Sequence, residues 1–148
     1  MKGVTQEMVT NKTAQNKTAQ DIEDDVETWE EIEPPLPVFL SWGEKPGQEL
    51  RGKITHITPD GGKDFTGNPC PQYEFLLLKN TYSENKSGER TDLVTGETIL
   101  LNVTSISLQR HLRYGNPKVD DDVSIIFHDT VKVDKGTAKQ FRVRIRRS

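Results

Sequence analysis

Between Phe141 and Arg146 the chain alternates apolar and basic residues without interruption: Phe141, Val143 and Ile145 against Arg142, Arg144 and Arg146. Only an extended strand gives successive side chains opposite directions, so this period of two buries the first set and exposes the second. A helix would scatter the same residues around its circumference. The segment therefore fixes a sheet with one wet, cationic face.

Charge is unevenly divided along the 148 residues. From Met1 to Glu49 there are four basic and eleven acidic residues, net −7, and from Leu50 to Ser148 sixteen basic and twelve acidic, net +4. The formal charge of −3 is thus the difference between an acidic head and a basic body. Hydrophobic residues make up 32 % of the chain, too few for every residue to belong to a packed core. With Cys70 as its single cysteine the chain forms no internal disulfide, and a reducing compartment is expected. The first residues lack the apolar stretch of a secretory signal, and no apolar run nears the roughly 20 residues a membrane helix needs. The expectation is a soluble, cytoplasmic protein that does not associate with membranes.

Two copies of Asn-Lys-Thr-Ala-Gln, at 11–15 and 16–20, read as a polar spacer. Residues 21–33 then hold eight acids and no bases, with Ile22, Val26, Trp29 and Ile32 at helical spacing. Ile22, Val26 and Trp29 are candidate anchors for a partner, and a solvated acidic tail is the plainer alternative. Pro34, Pro35 and Pro37 end any helix, so residues 1–37 are expected to be a disordered acidic tail with a proline-rich linker, and 38–148 the folded domain.

The domain reads as β. A short strand at Val38–Leu40 precedes five strands at Leu50–Ile57, Gln72–Lys79, Thr98–Val103, Val123–Val131 and Lys139–Arg146. Thr58–Pro71 and Asn80–Glu97 read as polar loops. Thr104 or Ser105 caps a helix over Ile106–Tyr114 that Gly115 stops, and Asp134-Lys135-Gly136 turns the last hairpin.

Three strands, a helix and a two-strand hairpin follow the order of a five-stranded OB-fold barrel. Three stretches carry the likeness: Pro46-Gly47-Gln48-Glu49-Leu50-Arg51-Gly52-Lys53-Ile54, Asp64-Phe65-Thr66-Gly67-Asn68-Pro69, and Gly136-Thr137-Ala138-Lys139-Gln140-Phe141-Arg142-Val143, together with the helix around Leu108–Leu112. On these the chain resembles small OB-fold single-stranded DNA-binding proteins of bacteriophages and bacteria, over roughly residues 38–147. The better-known bacterial pattern places its acidic partner-binding tail after the domain, whereas here the acidic segment precedes it.

The resemblance implies sequence-tolerant binding of single-stranded DNA in replication or recombination, with phosphates on cations and bases on aromatic faces. The candidate residues are Arg51, Lys53, Phe65, Tyr73, Lys79, Tyr82, Lys86, Arg90, Lys139, Arg142, Arg144 and Arg146. Tyr73 shares the side of Phe75, which also suits a core position. Replication or recombination proteins are candidate partners of the acidic head, and the oligomeric state stays open between a monomer and a homo-oligomer. The competing reading is an OB-fold interaction or assembly module that binds no nucleic acid.

No cofactor or metal is implied. His56, His111 and His128 lie on different elements and lack metal-ligand spacing with one another or with Cys70, and Asp120-Asp121-Asp122 reads as a charged turn. Gly61-Gly62-Lys63 lacks the rest of a phosphate loop, so no enzyme chemistry is expected.

Overall fold

The computed structural model describes residues 28–33 and 36–148. The chain divides into two units, residues 1–35 and 36–148. In the first, Trp29 and Ile32 are exposed, and the anchor candidates Ile22 and Val26 lie outside the described residues.

The second unit contains β1 (Val38–Phe39), β2 (Glu49–Lys63), β3 (Pro69–Leu77), β4 (Thr81–Glu84), β5 (Arg90–Leu93) and β6 (Thr98–Asn102). These are followed by α1 (Ile106–Gly115), β7 (Asp122–Val133) and β8 (Gly136–Arg146). Six strands form one sheet in the order β1-β6-β3-β2-β7-β8, antiparallel throughout except where β1 runs parallel to β6. β4 and β5 form a separate hairpin.

Alternation builds the core. Leu50 and Ile54 from β2, Phe75 and Leu77 from β3, Ile99 and Leu101 from β6 and Val123, Ile125 and Phe127 from β7 all face inward and are fully buried. Leu108 and Leu112, one turn apart on α1, join the same cluster, as does Phe141 of β8. Ser105 caps the helix by accepting from the Leu108 N–H.

At its other end α1 runs through Gly115, and Asn116 takes the left-handed conformation at φ 49°, donating its N–H to the Leu112 carbonyl. Gly115 stands where the helix meets β8: a Cβ there would lie 2.6 Å from Ile145 Cδ1, the movable end of that side chain.

The five-stranded closed barrel is corrected by this topology, and with it the resemblance to OB-fold DNA-binding proteins. Closing the sheet would require β8 to pair with β6. That edge of β6 is occupied by β1, through Val38 opposite Ile99 and Phe39 opposite Leu100, and among the described residues no ladder joins β8 to β1 or β6. The sheet is open and mixed, with β1 at one edge and β8 at the other.

Two stretches are also more regular than their sequence pattern. β2 continues through irregularities between Ile54 and His56 and between Thr58 and Gly62, and still pairs with β3 as far as Lys63 opposite Pro69. The stretch 80–97 is not a plain loop, because it contains the β4–β5 hairpin.

Candidate functional site

Two sites emerge on the two faces of β8. Alternation sends Lys139 and Phe141 to the core side and Arg142, Arg144 and Arg146 to the solvent side.

On the core side, the seam between β1 and β8 remains open as a groove of about 750 Å3. Its walls are Phe39–Trp42 on one side and Thr137–Lys139 with Phe141 on the other; Thr104–Ser107 at the start of α1 and Lys63 and Phe65 complete it. Trp42 packs edge-on against Phe141 with centroids 5.0 Å apart, and Phe141 in turn lies 5.8 Å from Phe127, so the floor is continuous with the core. Phe39, Phe65 and Ile106 are all exposed at the groove.

Phe65 is held outward by its own loop. The Asp64 carboxylate accepts from Thr66 Oγ1 at 2.7 Å and from the Thr66 and Asn68 N–H groups at 2.9 Å, closing a tight turn that leaves the ring 89 % exposed. The Thr66 hydroxyl is the first of the bonds that hold the Asp64 carboxyl below its usual range. Lys86, on the turn joining β4 to β5, sits 5.9 Å from the Phe65 ring centre. Lys139 lies 5.6 Å from the Phe127 ring.

On the solvent side, β2, β7 and β8 line up three cross-strand rows: Glu49–Ile126–Arg142, Arg51–Ser124–Arg144 and Lys53–Asp122–Arg146. Glu49 is the hub. Its Oε2 accepts from Arg51 Nε and Nη2 at 3.2 and 3.0 Å and from Ser124 Oγ at 2.8 Å, while Oε1 takes Lys79 Nζ at 2.6 Å. Burial pushes its pKa up, but the hydrogen bonds from Lys79, Ser124 and Arg51 together outweigh that and bring it down to about 2. Asp122 has the same role in the Lys53 row, with Arg146 Nη2 at 2.6 Å and Lys53 Nζ at 3.1 Å, and Arg146 is the main cause of its lowered pKa. A cavity of about 260 Å3 lies here, lined by Arg51, Asp122, Ser124, Arg144 and Arg146 among others.

The proposed DNA-binding set therefore separates. Arg51, Lys53, Lys79, Arg142, Arg144 and Arg146 fall on or beside one face, but with Glu49 and Asp122 interposed and, among the described residues, no aromatic ring in the cavity lined by Arg51, Arg144 and Arg146. Phe65, Lys86 and Lys139 belong to the other region. Tyr82 is covered by the Arg90 guanidinium at 4.2 Å, which also pairs with Glu84. Tyr73 is buried, stacked 6.0 Å from Phe75, and burial raises its pKa. The single-stranded DNA reading rested on a closed barrel, which the sheet order does not form, and the arginines of the solvent face share no cavity with an exposed ring among the described residues.

Residue patterns along the chain did not single out Glu49, Asp122, Ser124 or Gln48. The first three share the period-two parity of the arginines opposite them, a signal that was legible. Cys70 is buried, and burial raises its pKa. Among the described residues no cluster of three or more His, Cys, Asp or Glu has metal-binding geometry, and no helix is long and apolar enough to cross a membrane. No family model, curated protein or solved structure matches this chain.

Proposed function

We propose that the chain is a non-catalytic interaction module whose seam groove receives an extended segment of a partner protein carrying both apolar and acidic side chains. The observation that supports this is the groove itself, a cavity of about 750 Å3 between the two edge strands of the sheet. It lies within the size range in which binding sites usually fall. An extended segment suits it because sheet edges offer backbone groups and alternate side chains reach the pocket.

Apolar character follows from Phe39, Phe65 and Ile106, three large apolar side chains exposed together at the groove. Acidic character follows from Lys63 and Lys139 in the lining. Lys139 is only loosely engaged, 4.0 Å from Glu44, so it is available to a partner carboxylate. The buried, unpaired Cys70 favours a reducing compartment for this activity.

Selection of a random-peptide display library on the full chain, with an Ile106→Asp variant as counter-selection, tests the reading. Enriched peptides are expected to combine apolar and acidic residues and to lose at least tenfold in affinity on Ile106→Asp or Lys139→Glu. Peptides that enrich equally on the variant, or no enrichment at all, would overturn it.

A further inference from the structure

We infer that the solvent face of β2, β7 and β8 is a binding site for a small ligand bearing two or more linked phosphoryl groups. This site is separate from the seam groove and does not depend on it.

Charge is the first argument. Arg51, Lys53, Lys79, Arg142, Arg144 and Arg146 occupy or border this face, and the carboxylates paired with them are Glu49 and Asp122, six cations against two anions. Arranging like charges on neighbouring positions costs stability. Two carboxylates do not neutralise it, and an anionic ligand would.

Geometry is the second. Glu49 Oε2 takes both Nε and Nη2 of Arg51, and Asp122 Oδ2 takes both Nε and Nη2 of Arg146, at 3.0 and 2.6 Å. Each guanidinium is thereby clamped in one orientation with Nη1 left over. Arg144 spends Nη2 on the Ser124 hydroxyl at 3.3 Å and lies 4.0 Å from Glu49, so most of its fork is uncommitted. Donors held in place before binding lose little freedom on capture, and guanidinium forks match phosphate oxygens two at a time.

Size and spacing set the ligand class. The cavity of about 260 Å3 is below the roughly 300–1,000 Å3 of sites for drug-sized molecules, so it takes a small anion or the charged end of a larger one. Arg142, Arg144 and Arg146 recur every second residue, about 7 Å apart along the strand. A single phosphate bridges at most two of them, and a chain of phosphoryl groups follows the row. Among the described residues no ring lines the cavity to stack a base.

Calorimetric titration of the full chain tests this with inorganic tripolyphosphate, orthophosphate, sulfate, adenosine triphosphate and oligodeoxythymidine. Tripolyphosphate is expected to bind at least tenfold tighter than orthophosphate or sulfate, and Arg144→Gln with Arg51→Gln to weaken it at least tenfold. Lys135→Gln, on the turn between β7 and β8, is expected to leave it unchanged. Arg144→Lys keeps the charge and removes the fork, and should lose at least threefold. Adenosine triphosphate equal to tripolyphosphate assigns recognition to the phosphate chain alone, and tighter binding that still depends on Arg144 assigns it to an organic polyphosphate. Overturning results are equal heats for sulfate and tripolyphosphate, a lysine variant indistinguishable from the native chain, or tighter capture of the oligonucleotide through the same arginines. The peptide selection is scored on Ile106 and Lys139, neither of which lines this face, so failure of one proposal leaves the other standing.

Discussion

Gln48 donates from Nε2 to the Tyr82 carbonyl at 2.6 Å, and this bond ties the β4–β5 hairpin to the start of β2. The same amide donates to the Ser41 carbonyl at 2.9 Å and accepts from the Gly43 N–H at 2.8 Å, while Phe127 N–H reaches the Gln48 backbone carbonyl. Only 1 % of Gln48 is exposed, so its amide replaces water for three separate backbone groups. Gln48→Ala should cost about 2–4 kcal/mol, because each stranded polar group carries a desolvation penalty. Urea unfolding measures the loss. Hydrogen exchange at the Glu84 amide, which donates to Ser41, should speed up by more than the global loss predicts.

A second prediction concerns acid. Glu49 falls from its ordinary 4.5 to about 2 in the folded chain, so the unfolded chain binds the proton more readily. Its contribution is complete above about pH 4.5 and disappears as pH falls toward 2. About 2 kcal/mol is expected, allowing for the half-exposed lysine and arginine that face it. Asp121 and Asp122 are lowered as well and act with the same sign. Glu49→Gln should therefore flatten, without abolishing, the stability drop between pH 5 and 2. An unchanged acid limb in urea melts would show that Glu49 is not held in this way.

Much of the face around Glu49 was readable from period two alone. Leu50, Gly52 and Ile54 point one way and Arg51 and Lys53 the other, and Arg142, Arg144 and Arg146 alternate as expected. Glu49, Asp122 and Ser124 obey the same parity, yet which strands are neighbours is a long-range fact. Only the register that sets Arg51 opposite Ser124 and Ser124 opposite Arg144 reveals the carboxylates paired with the cations. The β4–β5 hairpin escaped because its two strands bury one apolar side chain fully, Leu93, and so lack an alternating signal. The open seam escaped for a different reason. Val38 and Phe39 form only a two-residue strand, and nothing in their identity says that they, rather than β8, take the edge of β6. The groove assembles four segments distant in sequence and has no local motif.

The end of α1 gives a paired prediction. Gly115→Ala places a methyl 2.6 Å from Ile145 Cδ1, the movable end of that side chain, so a rotamer shift should hold the net cost to about 1 kcal/mol or less. Asn116→Gly should be neutral or slightly stabilising, since glycine relieves the left-handed φ of 49°. A gain in melting temperature for Gly115→Ala would mean that helix propensity, and not the contact with β8, governs this position.

The floor of the groove is the last test. Phe141 touches both Trp42 and Phe127, so it links the rim of the seam to the buried core. Phe141→Ala removes that link and should cost about 3–5 kcal/mol through lost burial and the cavity left behind. Trp42, with its ring contact to Phe141 gone, should then swing toward water. The chain has two tryptophans, so a Trp29→Phe background isolates the Trp42 emission. Its maximum should shift to the red in Phe141→Ala, while the conservative Phe141→Leu retains most of the native wavelength. If emission stays native after Phe141→Ala, Trp42 is positioned by the Gly43–Gln48 bond rather than by the aromatic pair, and the groove floor is built from the chain before β2.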